Sequence, residues 1–342
     1  MKRFLSFFVF SVVSLCCFGN VLSADKVALI EGRGRPLEGT IIQITAEQVT
    51  LQDKDSQKKY DANNVASTTF GGEPSALNAA RLSVNGGRME EALANLAKVD
   101  PKELTSDGMK QDYAYFLAYA KAKLVLSGSG NAEEAKTALE DFRRRHKASY
   151  HYYEICEIYG DLMAQLGRFD EAKESYADLA KAPWPAYKLK AQVSLGMTEI
   201  FEGKADSARR NFEAVAASTD ASPQTERQKS LAAVGLALCL VADKQYDEAI
   251  AALEKIAKET GSEDALFQAR VYNSLGSAYD QADKPHEAAL AYMHTDILFS
   301  SARGEHIRSL TELHRLWTKI QRSGRAEEVA RRLKDLYKIT VK

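Results

Sequence analysis

Proline and tryptophan are scarce in this chain of 342 residues, seven and two respectively, and cysteine occurs only four times. So few prolines leave long stretches free to run as uninterrupted helix, because little removes their backbone donors. Two cysteines, Cys16 and Cys17, sit in an apolar leader, so Cys156 and Cys239 alone remain for the folded body. Each stands in a separate helical pattern among Ile, Tyr, Leu and Val, which reads as buried, unpaired core and not as a disulfide framework. An excess of one charge is also missing: 46 basic residues against 47 acidic give a formal net charge of −1. That balance excludes the broad basic footprint of a nucleic-acid binder. With 45% hydrophobic residues spread along the chain, wholesale disorder is excluded as well.

Catalytic and metal motifs are lacking too. His146, His151, His286, His294, His306 and His314 make no ligand pair at helical spacing with a carboxylate between them. Ser127-Gly128-Ser129-Gly130 has no strand before it and no Gly-Lys-Ser/Thr after it, so it is no phosphate loop. No Gly-x-Ser-x-Gly elbow follows a strand. The expectation is a non-enzyme with no cofactor and no metal. Arg143-Arg144-Arg145-His146 reads as the basic end of a helix, offsetting its partial negative charge, with an anion patch as the sharper alternative. Trp184, between Pro183 and Pro185, reads as packing a junction, with a partner anchor as the alternative.

The leader is the one long apolar run. Lys2 and Arg3 precede Phe4 to Phe18, where serine is the only polar residue, and Val21-Leu22-Ser23-Ala24 follows. This order predicts a signal peptide over residues 1–24, since the apolar run from Phe4 to Phe18 is shorter than the roughly 20 residues a membrane span needs. The mature protein is then exported to the periplasm or beyond, with no transmembrane span. Losing Lys2 and Arg3 leaves 44 basic against 47 acidic residues.

Residues 25–71 alternate instead of following a helical period. Lys26–Ile30, Leu37–Ile44, Gln48–Gln52, Lys59–Asp61 and Val65–Phe70 predict five short strands, with turns at Gly32–Pro36 and Asp53–Ser56. Closure into a small barrel would remove their edges. The spacing of Val27, Leu29, Gly32, Gly39, Ile41, Val49 and Leu51 resembles SH3-like and Sm-like barrels.

Beyond Gly71-Gly72-Glu73-Pro74, residues 75–342 are self-similar. A small anchor recurs at Ala92, Ala135, Ala172, Ala208, Ala249 and Ala288, with Val329 in the last place. Four residues after each stands Leu96, Leu139, Tyr176, Phe212, Leu253, Tyr292 or Leu333, on the same helix face. Gly87, Gly130, Gly167, Gly203 and Gly324 precede the anchors by five residues and predict turns; Lys244 and Asp283 depart from glycine there. Twelve residues before the anchors come Ala80, Gly160, Gly196, Ala237 and Gly276, small enough for two helices to cross closely. Tyr159-Gly160 through Gly167-Arg168-Phe169-Asp170-Glu171-Ala172 to Tyr176 resembles the tetratricopeptide (TPR) repeat, and Leu275-Gly276-Ser277-Ala278-Tyr279 resembles it next best. Anchor spacings of 36 to 43 residues exceed the TPR period of about 34. The resemblance implies a mainly α fold: a right-handed α-solenoid of about seven antiparallel helix pairs, preceded by the small β domain.

It also implies a binding groove lined by the first helix of each pair. Carried over repeat by repeat, that face has an acidic end at Glu154, Glu157 and Asp161. An apolar middle follows at Val193, Met197, Phe201, Val234, Leu238 and Val241. Arg270, Asn273, Ser277 and Asp280 make a mixed polar end, with His314 and Arg322 beyond. The expected function is an adaptor in the cell envelope that binds a segment of another protein in this groove. The alternative is a cell-wall or polymer binder acting through the β domain.

Overall fold

The computed structural model describes residues 24–30, 35–261 and 263–341. The predicted signal peptide lies outside the described residues, apart from Ala24. Five strands come first: β1 (Asp25–Leu29), β2 (Leu37–Ile44), β3 (Gln48–Asp53), β4 (Ser56–Asp61) and β5 (Val65–Thr69). All pairings are antiparallel, in the order β4-β3-β2-β1-β5. A single 3₁₀ turn at Ala62–Asn64 carries the chain from β4 across to β5. Thr45 fixes the β2–β3 turn, its hydroxyl accepting from the Gln48 amide at 2.9 Å. Alternation puts Val27, Val49, Leu51 and Val65 on one face, where Tyr150 from the helical part completes their core.

Among the described residues fourteen α-helices follow, pair by pair. They are α1 (Ser75–Asn85) and α2 (Met89–Leu96); α3 (Asp107–Leu126) and α4 (Ala132–Arg145); α5 (Tyr152–Gln165) and α6 (Phe169–Leu179). Next come α7 (Pro185–Phe201) and α8 (Ala205–Ala216); α9 (Pro223–Ala242) and α10 (Tyr246–Glu259). The last are α11 (Ala265–Gln281) and α12 (Pro285–Leu298); α13 (Arg303–Lys319) and α14 (Ser323–Tyr337). Among the described residues no helix is long and apolar enough to cross a membrane.

The turn inside each pair carries a residue in the left-handed region two positions before the second helix. Gly167 (φ 72°) and Gly203 (φ 75°) do so without steric cost. Lys244 (φ 63°) and Asp283 (φ 54°) adopt the same conformation with a side chain attached. The last pair corrects the sequence reading. Its left-handed residue is Gln321 (φ 56°), not Gly324, so the equivalent anchor is Ala326 and not Val329. The sequence pattern missed this because residues three apart share a helix face, so Val329 and Ala326 fit the apolar period equally well.

Where the small residue of a first helix is glycine, it admits a ring from its partner helix. A Cβ added at Gly160 would lie 2.4 Å from the Tyr176 ring, and one at Gly276 would lie 2.7 Å from Tyr292. Phe212 is gripped from two sides, 2.7 Å from such an atom at Gly196 and 2.4 Å from one at Gly235. Ala92, Ala135, Ala172, Ala208, Ala249 and Ala288 are all fully buried beneath these contacts. Cys156 and Cys239 are free and buried, and burial pushes both thiols up to about 11.

From α3 onward the odd-numbered helices pack against one another in succession, forming an inner layer with the even-numbered helices outside it. The coil winds far enough to meet itself. Arg303 at the start of α13 faces Glu90 of α2 at 3.7 Å, and Gly304 lies against the Leu126 carbonyl. Ile307 and Ile339 close over Gly128 in the α3–α4 turn. Near this closure His306 donates to Asp296 at 2.8 Å while Arg332 grips the same carboxylate. Burial works against the charge on Asp296, yet those two donors hold it down at about 2.

Candidate functional site at the junction of the two parts

The β domain is bolted to the solenoid by a buried polar network. Arg81 of α1 donates to both oxygens of Glu73, at 2.6 and 2.8 Å, and to Asp112 of α3 at 3.2 Å. Thr68 of β5 donates to the same Asp112 oxygen at 3.1 Å and lies 3.2 Å from the Tyr150 hydroxyl. The Arg81, Glu73 and Asp112 side chains are only 3%, 6% and 0% exposed, so their charges compensate one another away from water. Asp25 ties the other margin, accepting from the amides of Gly71 at 2.7 Å and Ile41 at 2.8 Å. Phe70 then presses onto α3 at Gly108, where a Cβ would come within 2.3 Å of its ring.

Above this network opens a cavity of about 360 Å³. Ala66 and Ser67 of β5 form one wall and Asn85 of α1 the next. Tyr115 and Tyr119 come from α3, Glu154 and Glu157 from α5, and Tyr187 and Lys190 from α7. Consecutive inner-layer helices thus project side chains into one space that the β domain closes at its end. At the floor His151 stacks flat on Tyr115, centroids 3.5 Å apart and planes within 3°. His151 is 6% exposed, and its Nε2 makes no hydrogen bond; the nearest acceptor, Asp112 Oδ1, is 3.3 Å away and also unsatisfied.

The charges here are strongly perturbed. Burial opposes protonation of His151, but Asp112 and Glu154 outweigh it and raise its pKa. Burial likewise opposes ionisation of Glu154, and His151, Tyr115 and Lys190 outweigh it and lower its pKa. Lys190 donates to Glu157 at 2.8 Å while lying 5.4 Å above the Tyr187 ring; Glu157 overcomes the burial penalty and raises the lysine. One turn further along α5, Asp161 accepts from the Tyr176 hydroxyl at 2.8 Å. Desolvation first, then repulsion from Glu157, push Asp161 up to about 6, with Arg270 and Lys123 opposing.

A stability prediction follows from Asp161. Its folded pKa is raised, so its ionisation penalises the folded state fully above about pH 6 and not at all below the unfolded value of 3.8. Asp161→Asn keeps an acceptor for Tyr176 and removes that penalty. It should raise stability at pH 7.5 by about 1 kcal/mol, discounted for the partial exposure of the site. The gain should vanish at pH 4, as read from paired thermal melts.

The other groove residues read from the sequence fall into two groups. Glu154, Glu157 and Asp161 form one stripe of α5; Glu154 and Glu157 line the cavity, and Asp161 lies one turn beyond Glu157. The apolar middle is corrected in part: Val193, Val234 and Val241 are only 5%, 4% and 4% exposed and pack between helices. Met197 and Leu238 are half-buried against the same layer, leaving Phe201, 60% exposed, as the open apolar residue of that set. Asn273 is also corrected to an interior role, fully buried with its amide donating to the Glu305 carbonyl at 3.0 Å and carboxylate at 2.8 Å. The reason is shared: neighbouring first helices cross closely, so a face read as open groove is partly their mutual contact. Arg270 pairs with Glu305 at 3.4 Å, Asp280 with Lys319 at 3.4 Å and with Arg315, and Ser277 accepts from Gln281. His314 bonds the Ala326 carbonyl at 3.0 Å, and Arg322 lies on the exposed α13–α14 turn.

Sequence reasoning missed Tyr115, Tyr119, Tyr187, Lys190 and His151. Tyr115 and Tyr119 stand four apart on α3, a visible stripe, but one that ordinary core packing also produces. Arg143 pairs with Asp178 at 2.9 Å over the Tyr159 ring, so its charge is compensated internally. Trp184 packs on Tyr153 and Tyr187 beside the β domain.

Helix pairs stacked through small-residue contacts around an inner layer define a TPR-like α-solenoid. A tetratricopeptide-repeat family model matches residues 232–259. Among solved structures, a Rap protein complexed with competence and sporulation factor is similar over 76% of this chain and 73% of its own, at 12% identity and TM-score 0.52. A tetratricopeptide repeat protein from Parabacteroides merdae ATCC 43184 is similar over 77% and 92%, at 14% identity and TM-score 0.51. No curated protein matches the chain. These likenesses establish the fold.

Proposed function

We propose that this protein is a non-enzymatic adaptor of the cell envelope that holds a segment of a partner protein along the inner face of its solenoid. The observation that carries this reading is the junction cavity, where side chains from α1, α3, α5 and α7 converge beneath β5. Pockets between domains with convergent polar groups are the usual seats of recognition. The Rap structure of similar fold, captured with competence and sporulation factor, supports it as an analogy of fold. Export rests on the leader of residues 1–24, and an SH3-like identity for the β domain is supported by its strand order and the 3₁₀ turn before β5.

The test is site-specific photo-crosslinking in the producing cells, with the reactive residue at Tyr119 in the cavity or at Glu133 on the outer layer. A partner polypeptide captured from Tyr119 and not from Glu133, on a chain whose N-terminus begins near Asp25, is the expected result. Equal capture from both positions would remove the inner face from consideration, and an intact Met1 terminus would remove export.

A further inference from the structure

The cavity is unevenly charged in a way its own residues do not correct. Glu157 is neutralised by Lys190, but Glu154 has no lysine or arginine against it; its nearest basic atom is His151 Nδ1 at 3.9 Å, and its side chain is 43% exposed. Asp161 follows on the same stripe, with Lys123 and Arg270 acting on it only through space. At the floor, His151 Nε2 and Asp112 Oδ1 face each other at 3.3 Å.

The aromatic rings are engaged in a telling manner. Lys190 lies 5.4 Å above Tyr187 and Lys123 lies 5.4 Å above Tyr119, so two tyrosine faces already hold an ammonium group. The third, Tyr115, is covered by His151. Tyrosine faces beside carboxylates attract cations, and more strongly where water is partly excluded. Lys190, seated between Glu157 and Tyr187, demonstrates in this chain what the cavity accepts.

We propose that the junction cavity receives a basic side chain, lysine or arginine, of a partner polypeptide, with Glu154 as its counter-charge and Lys190 as a resident competitor. This rests on the reading of the inner face as a polypeptide-binding surface. It assigns Glu154 the direct contact, because it is the carboxylate at the cavity with no lysine or arginine paired to it. Lys190 limits affinity, because it occupies the adjoining carboxylate and ring.

The experiment is selection of a random heptapeptide display library on the immobilised full chain, followed by titration of the selected peptide and of its lysine-to-glutamine or arginine-to-glutamine analogue. The expected result is a fixed basic position among the selected sequences and at least tenfold weaker binding of the neutral analogue. Glu154→Gln should weaken the basic peptide at least tenfold and leave the neutral analogue unchanged. Lys190→Gln should tighten the basic peptide several-fold, a gain that loss of folding cannot imitate. Selection of peptides without a basic position, or equal affinities across these variants, would overturn the charge assignment while leaving polypeptide binding in place. Recovery of no peptide at all would overturn both.

Discussion

Arg81→Leu is expected to destabilise the protein by about 3–5 kcal/mol, because it takes the guanidinium away from two buried carboxylates. Glu73 and Asp112 are 6% and 0% exposed and lose donors at 2.6, 2.8 and 3.2 Å together. Thr68 would be left donating to an Asp112 that has lost its guanidinium. The damage should therefore concentrate at the junction. Urea titration should show a lower midpoint, and limited chymotrypsin digestion should cut after Phe70 well before the solenoid is cleaved. Adding Glu73→Gln and Asp112→Asn to Arg81→Leu should recover part of the loss, since neutral amides cost less to bury than carboxylates. A variant that resists urea and protease like the wild type would show that the network is not what holds the β domain in place.

Gly235→Ala is the second change with a large expected effect, and its sign opposes helix propensity. Alanine in the middle of a helix ordinarily gains about 1 kcal/mol over glycine. Here the new methyl would lie 2.4 Å from a Phe212 ring carbon, and α7 packs closely on the same ring, where a Cβ at Gly196 would come within 2.7 Å. Phe212 is fully buried, so the ring cannot swing into water. A net loss of about 2 kcal/mol is expected from overpacking. Phe212→Leu should cost stability alone yet relieve the clash in combination, giving a coupling of about 1 kcal/mol or more in a double-mutant cycle read by thermal melts. Simple additivity would show that α7, α8 and α9 can part without cost.

These contacts explain why the repeats were legible in the sequence. A small residue twelve positions before an anchor and a ring four positions after it are two sides of one steric contact, so they recur together, as Gly160 with Tyr176, Gly196 with Phe212 and Gly276 with Tyr292. The left-handed turn was legible where glycine marked it and illegible at Lys244, Asp283 and Gln321, which adopt it under tertiary constraint. In the last pair that single missing signal displaced the assigned anchor by three residues. The acidic stripe of α5 was legible because Glu154, Glu157 and Asp161 share one face in sequence; its partners were not.

By itself the sequence determined the succession of strands and helix pairs, because hydrophobic period, turn residues and small-residue spacing are local and repeat. Burial of Val193, Val234, Val241 and Asn273 was decided only by tertiary structure, since it depends on how closely neighbouring first helices cross. So was the cavity, which needs Ser67, Tyr119, Glu154 and Lys190 within one space although they come from four separate elements. Local patterns encode which face of a helix is apolar. Charge compensation across 31 residues from Arg81 to Asp112, or 33 from Glu157 to Lys190, exists only once the chain has folded.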